Sequence, residues 1–182
     1  MSGVPVVVQY LAEGLLEKGY DVSICTKWYE GLSDKENING IHVYRFRLRK
    51  TLMKRYVGEI DSYRKFVLSL NADVVIFECS ECVTTDVLLR NLSQIKGKKI
   101  FHSHGFSGMR LLPFKWNVNL KYTLGNTYNW FRFKIYYSFT LKKYIKQFDE
   151  TICLSEMDSS KVWLMKNAKK VNVLQNAVDD MF

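Results

Sequence analysis

The chain has 182 residues, 47% hydrophobic and 25% charged, a composition that excludes disorder and is enough for one domain with a sizeable core. No run reaches the roughly eighteen apolar residues of a membrane span, and the uncharged opening lacks the basic start of a signal peptide, so the expectation is a cytoplasmic protein. The net charge of +9 excludes an acidic chain and directs attention to anionic partners.

Taken in order, the chain opens with Pro5, suited to the first turn of a helix. Val7, Leu11, Leu15 and Leu16 then recur at helical spacing, and Gly19 supplies the C-terminal stop. Residues 20–26, YDVSICT, alternate as a strand does. Residues 30–40 are polar, with Asn39-Gly40 as a turn. Residues 41–48, IHVYRFRL, predict a strand near a sheet edge, with Ile41, Val43 and Phe46 near one face. A helix is expected over 54–70 and a short buried parallel strand over 73–77, DVVIF. Helical spacing continues over 81–92, a turn at 95–97 precedes a strand over 99–102, and 106–148 is long and irregular, with a helix or two over 128–144. Residues 149–153 predict a strand, 157–165 a short helix that Ser155 is placed to N-cap, and 171–174 a last strand.

Strands alternating with helices specify an α/β fold with a doubly wound, Rossmann-like parallel sheet and helices on both faces. Such a sheet has its first strand in the middle. This chain opens at a helix, so the expectation is a sheet lacking its first strand.

Three features carry chemistry. KKIFHSHGFSG (residues 98–108) breaks a short strand with His102, His104 and Gly105, at the strand end where α/β sheets bind ligands. Imidazoles titrate nearest neutrality. Two such histidines are read either as a polar surface loop or as part of a site. The four cysteines are Cys25, Cys79, Cys82 and Cys153. Cys79 and Cys82 have metal or redox spacing, but no second pair or His cluster follows for a four-ligand zinc site, so they are read as buried thiols. Finally, no acidic residue stands between Asp86 and Asp149, or from Ile38 to Gly58. The first window holds twelve basic residues and the second six. One-signed fields suit nucleic acid, anionic headgroups or phosphorylated substrates, or a solvated basic face.

Four separated pieces carry a resemblance: SGVPVVVQYLAEGLLEKGYDVSICT, KKIFHSHGF, TICLSEMDSSKV and KKVNVLQNAVDDMF. In this order and at these intervals the chain resembles the N-terminal domain of family-4 glycosyltransferases, which have the two-domain GT-B fold. The resemblance implies transfer of a sugar from a nucleotide-sugar donor to a glycan or lipid-linked acceptor in envelope or capsule polysaccharide assembly. It implies retention of anomeric configuration, no metal and no cofactor. His104 matches the active-site histidine beside the donor sugar, and Gly105 the glycine after it. Ser2 and Gly3 occupy the loop that approaches the donor diphosphate, Ser2 standing where a glycine is usual. Ser155 and Glu156 match a Ser-Glu pair at the site. Asn176 and Asp179 match an interdomain segment in which Ala177 replaces a glycine. The expectation is therefore one acceptor-side domain over 1–182, with the donor-binding C-terminal domain absent or supplied by a partner chain.

The basic, aromatic stretch supplies a membrane or acceptor patch at Arg110, Lys115, Trp116, Trp130, Arg132 and Lys134. Tyr122, Phe131, Phe133, Tyr136 and Tyr137 join its apolar face, unless these aromatics are core. On this reading the protein is peripheral at the inner face of the cell membrane. Two rivals stand beside the enzyme: a non-catalytic remnant or subunit that binds acceptor or membrane through its basic face, and a basic α/β nucleic-acid-binding protein. No nucleic-acid motif accompanies the charge, so nucleic acid is not the favoured partner.

Overall fold

The computed structural model describes residues 3–51, 55–110 and 120–175. The chain is mixed α/β and divides into two compact units. The first comprises Met1–Asp73, Glu78–Gly97 and Asn176–Phe182; the second comprises Val74–Phe77 and Lys98–Gln175.

In the first unit, α1 (Val4–Glu17) carries Pro5 in its first turn, as expected. Its end is a paired reversal: the Gly19 amide donates to the Leu16 carbonyl at 2.9 Å and the Tyr20 amide to the Leu15 carbonyl at 3.2 Å. This satisfies two of the carbonyls a helix end leaves without partners. Strand β1 (Ser23–Lys27) runs parallel to β3 (Ile41–Phe46), and β2 (Lys35–Ile38) runs antiparallel to it. β3 is therefore central, not the edge strand that its basic alternation suggested. The strand that covers it, Lys-Glu-Asn-Ile, is exposed at every position and has no apolar period to reveal it. Asn39 and Gly40, both at positive φ, make the two-residue turn joining β2 to β3.

Both faces of β3 are packed. Ile41 and Val43 are buried with Ala12 and lie against Leu16, Val22 and Ile24. Phe46 falls on the opposite face from Ile41 and Val43, by strand parity. There its ring lies 5.2 Å from Tyr63 and 5.5 Å from Phe66, centroid to centroid. The helix expected over 54–70 begins late. β5 (Tyr56–Gly58) pairs antiparallel with β4 (Leu48–Lys50), and α2 (Ile60–Ser69) follows. The helix expected over 81–92 is α3 (Val83–Asp86) followed by a 3-10 segment, Leu89–Gln94.

The second unit is built on a four-stranded sheet in the order β6 (Val74–Glu78), β7 (Lys98–His102), β8 (Glu150–Cys153), β9 (Val171–Val173). β7 and β8 are parallel from Ile100↔Glu150 to His102↔Ile152, and β8 and β9 from Thr151↔Val171 to Cys153↔Val173. This parallel sheet flanked by helices is the Rossmann-like architecture that the element order specified. A long helical run joins β7 to β8: α4 (Leu120–Ile135), a π-helical turn Tyr136–Leu141, α5 (Lys142–Tyr144) and a 3-10 turn Ile145–Gln147. The last helix among the described residues, α6, spans Lys161–Asn167, with Ser160 and not Ser155 at its N-cap.

The acid-free windows are less one-signed in space than in sequence. Arg45 pairs with Glu36 at 2.6 Å, and Arg47 with Asp34 at 2.9 Å and Glu59 at 3.8 Å. Lys98 pairs with Glu150 at 2.6 Å, and Lys99 with Asp149 at 3.5 Å. Acids flanking each window fold back onto its basic residues.

Gly97 sits at φ +76, where a Cβ would stand 2.2 Å from the Ala72 carbonyl oxygen and 2.6 Å from that of Asp73. Gly14, inside α1, has nothing within 4 Å. Gly97→Ala is expected to lower urea-unfolding stability by more than about 2 kcal/mol through clash and backbone strain. Gly14→Ala is expected to raise it by about 0.5–1 kcal/mol.

Glu150 accepts hydrogen bonds from Lys98 and Lys170, which hold its carboxyl down to about 2, below the ordinary 4.5. A group whose folded value is depressed stabilises the fold above its unfolded value and loses that contribution as pH falls. The melting-temperature gap between wild type and Glu150→Gln is therefore expected to be full above pH 4.5 and to shrink steadily towards pH 2.

Candidate active site

The parallel sheet of the second unit ends at β7 in a short polar turn. Phe101 and Phe106, each wholly buried, bracket it. Phe101 packs 5.3 Å from Phe148; Phe106 lies 4.7 Å from Tyr137 and 5.4 Å from Trp163, centroid to centroid. Between these anchors the backbone stays extended through Ser103, whose amide donates to the Ile152 carbonyl at 2.8 Å. It then reverses at Gly105, φ +83, whose amide donates back to the Ser103 carbonyl at 2.6 Å. A Cβ on Gly105 would meet only Asp158 Oδ1, at 3.8 Å. The backbone angle, not lack of space, calls for glycine here.

Residues two apart in extended chain point the same way. His102 and His104 accordingly lie side by side, ring centroids 4.3 Å apart at 45°. His102 is buried and His104 is half-buried, so His104 is the imidazole of the pair more open to a ligand. The ring nitrogens of both are of the kind that ligate metal ions or hydrogen-bond a ligand.

Ser103 points to the other side, where a polar brace holds it. Its hydroxyl donates to Ser160 Oγ at 2.7 Å. The Asp158 carboxylate accepts from the Ser160 amide and hydroxyl, both at 2.8 Å, and from the Leu154 amide at 3.2 Å. One carboxylate thus closes the loop after β8 and, through Ser160, ties it to the histidine turn. It also explains the late start of α6, because Ser160 is held by Asp158.

The remaining candidates are placed as follows. Ser155 lies in the loop after β8, and its carbonyl accepts from the Asp158 amide at 3.1 Å. Glu156 is exposed and pairs with Lys161. Gly3, in the first unit, precedes α1 at φ +84 with open space around it. Arg110 ends a 3-10 turn, Ser107–Arg110. On α4, Trp130 and Arg132 are half-buried and Lys134 is exposed. Of the aromatics proposed for the outer face, Tyr137 is core. Ser2, Lys115, Trp116, Asn176 and Asp179 lie outside the described residues. Ser103, Asp158 and Ser160 were not anticipated as site residues. The signal was the run Asp-Ser-Ser before a helix, a local capping pattern that gives no hint of the strand it reaches.

Two further features belong to the first unit. Cys79 and Glu81 both hold positive φ, 66° and 64°, strain of the kind that collects at functional turns. Burial, with Cys82, Glu78 and Glu81 nearby, pushes the Cys79 thiol up to about 12, and burial alone does the same to Cys25. All four cysteines are free thiols, and these two are held protonated. A depression of about 500 Å³ is lined by Lys27, Trp28, Tyr29, Arg47 and Arg49, among others.

The family model described as Glycosyltransferase Family 4 matches residues 1–182. No curated protein and no solved structure matches the chain.

Asp158→Ala removes the acceptor of three hydrogen bonds and is expected to cost about 2–4 kcal/mol in chemical unfolding. Ser103→Ala removes the neutral hydrogen bond to Ser160 Oγ and a longer one from the Gly105 amide at 3.3 Å, an amide that keeps the Ser103 carbonyl, and is expected to cost about 0.5–1.5 kcal/mol. Equal costs for the two would show that the carboxylate is not the keystone of the loop.

Proposed function

The chain belongs to glycosyltransferase family 4, and from that premise we propose that it serves transfer of a sugar from a nucleotide-sugar donor to a glycan or lipid-linked acceptor of a cell-envelope polysaccharide. The observation that carries this reading is the His102–His104 pair at the C-terminal end of a strand in a parallel sheet, where α/β folds bind ligands.

In this reading His104 faces the donor sugar. Its imidazole donates a hydrogen bond to a sugar hydroxyl or to charge that develops as the glycosidic bond breaks. A donor fixed in place beforehand acts without reorganising at the moment of reaction. His102, buried beneath it, orients the His104 ring. Gly105 leaves the turn bare for close approach. Ser155 and Glu156 support the sugar side of the site.

Gly3 carries over as the loop glycine against the donor diphosphate. Pro5 contributes no N–H, and the amides of Val6 and Val7 already donate to the Gly3 carbonyl at 3.1 and 3.4 Å. The amides of Gly3 and Val4 are therefore the ones that would meet phosphate oxygens at this helix end. The proposed chemistry uses no metal and retains the anomeric configuration. Asn176 and Asp179 act between domains.

The test is a panel of nucleoside-diphosphate sugars with membrane glycolipid acceptors, followed by release of the nucleotide. His104→Ala is expected to lower turnover by about 100-fold or more, the usual loss of one positioned donor, with a melting temperature close to wild type. Unchanged turnover in that variant would remove His104 from the site. Release that requires an added divalent cation would overturn the metal-free chemistry.

A further inference from the structure

We propose that the outer face of α4 and its π-helical extension docks on an anionic lipid surface. Along this run Leu124, Tyr128, Phe131, Ile135 and Phe139 are all exposed, from 42% at Ile135 to 71% at Phe139. Their spacings of four, three, four and four residues place them in one stripe on a single side of the helix. At about 1.5 Å per residue the stripe is roughly 22 Å long.

The stripe is surplus to the fold. The same run has a second apolar side, at Tyr137, Leu141 and Ile145, which is buried. Tyr137 anchors it in the aromatic core, 4.7 Å from Phe106 and 6.1 Å from Trp163. A helix that had only its own unit to satisfy would be polar on the outside.

The charge around the stripe chooses the occupant. Lys134, Lys142 and Lys143 are exposed beside it, and the helical run itself, Leu120–Gln147, carries no acidic residue. Lysine is depleted in the cores of protein–protein interfaces. Beside an apolar stripe lying flat in a headgroup layer it is favoured, its stem following the apolar surface and its ammonium group meeting lipid phosphates. No helix among the described residues is long and apolar enough to cross a membrane, so the contact is one of lying on the surface. This inference is independent of sugar transfer, because vesicle binding needs neither donor nor turnover.

The experiment is co-sedimentation of the full chain with vesicles of phosphatidylcholine alone and of phosphatidylcholine mixed with phosphatidylglycerol. Binding is expected to the mixed vesicles only and to weaken as salt is raised. The double variant Phe131→Ser, Phe139→Ser is expected to lose binding about tenfold or more, with an unchanged far-ultraviolet circular dichroism spectrum. Should that variant misfold, Lys134→Glu with Lys142→Glu and Lys143→Glu keeps the apolar stripe and changes exposed side chains whose other contacts are those of Lys134 over the Trp130 ring and Lys143 over the Tyr144 ring, and the same loss is expected. Absence of binding to mixed vesicles overturns the proposal, as does binding that survives both sets of changes. Concentration-dependent self-association abolished by Phe131→Ser, Phe139→Ser would assign the stripe to a second copy of this chain and overturn it equally.

Discussion

Phe101 and Phe106 hold the histidine turn by its two ends, and the candidate site depends on that grip. A fully buried phenylalanine contributes about 1.5–3 kcal/mol, so the pair can offset the cost of burying the polar residues His102 and Ser103 between them. The rings do more than add burial. Phe101 continues through Phe148 to Phe77, and Phe106 through Tyr137 to Phe133 and Trp163. The turn is thereby anchored to the sheet on one side and to the helical run on the other. Four residues between fixed ends have little freedom, which is what a positioned imidazole needs.

Within that frame the turn separates two tasks by strand parity. His102 and His104 point one way and Ser103 the other. The serine side is structural: a hydroxyl relay through Ser160 to the Asp158 carboxylate, fully buried at both serines. The histidine side is graded, with one ring buried and its neighbour half-buried. A buried polar network earns its place when every member is satisfied. Here one carboxylate accepts three hydrogen bonds and so fixes the loop after β8, the N-cap of α6 and the approach to the histidines together.

Much of this was legible in the sequence, and the failures have physical causes. α1, its glycine stop, the Asn39-Gly40 turn and the strands leading into residues 102 and 153 announce themselves by period and punctuation. β2 did not, because a fully exposed edge strand has no apolar alternation. The start of the 54–70 segment was misread because Tyr56 and Val57 suit a helix face or a hairpin arm equally, and pairing with β4 decided between them. The charge windows were legible only as sequence, not as surface. An acid-free run in sequence becomes a basic face only if acids from outside it stay away, and Glu36, Asp34 and Glu59 do not. At the site, the histidines and Gly105 were visible as residue types at a strand end, whereas Asp158 reaches its partners through loop geometry that no spacing encodes.

The helical run after residue 120 shows the limit most clearly. Its aromatics were legible as a group, yet whether they were core or surface was not. The structure answers that both hold, on different sides of one helix. Period alone cannot separate a helix buried all round from one that presents a buried stripe and an exposed stripe, because both read as apolar in every turn. What distinguishes them is the residue type beside each stripe. Around Tyr137 the neighbours are rings of the core, and Leu141 and Ile145 are wholly buried on the same side. Beside Phe131, Ile135 and Phe139 they are Lys134, Lys142 and Lys143, each exposed. Ammonium groups bordering exposed apolar surface would be costly to bury in a protein core, and they cost little where one side is hydrocarbon and the other water. That physical asymmetry gives the outer face of this helix a role apart from holding the fold together.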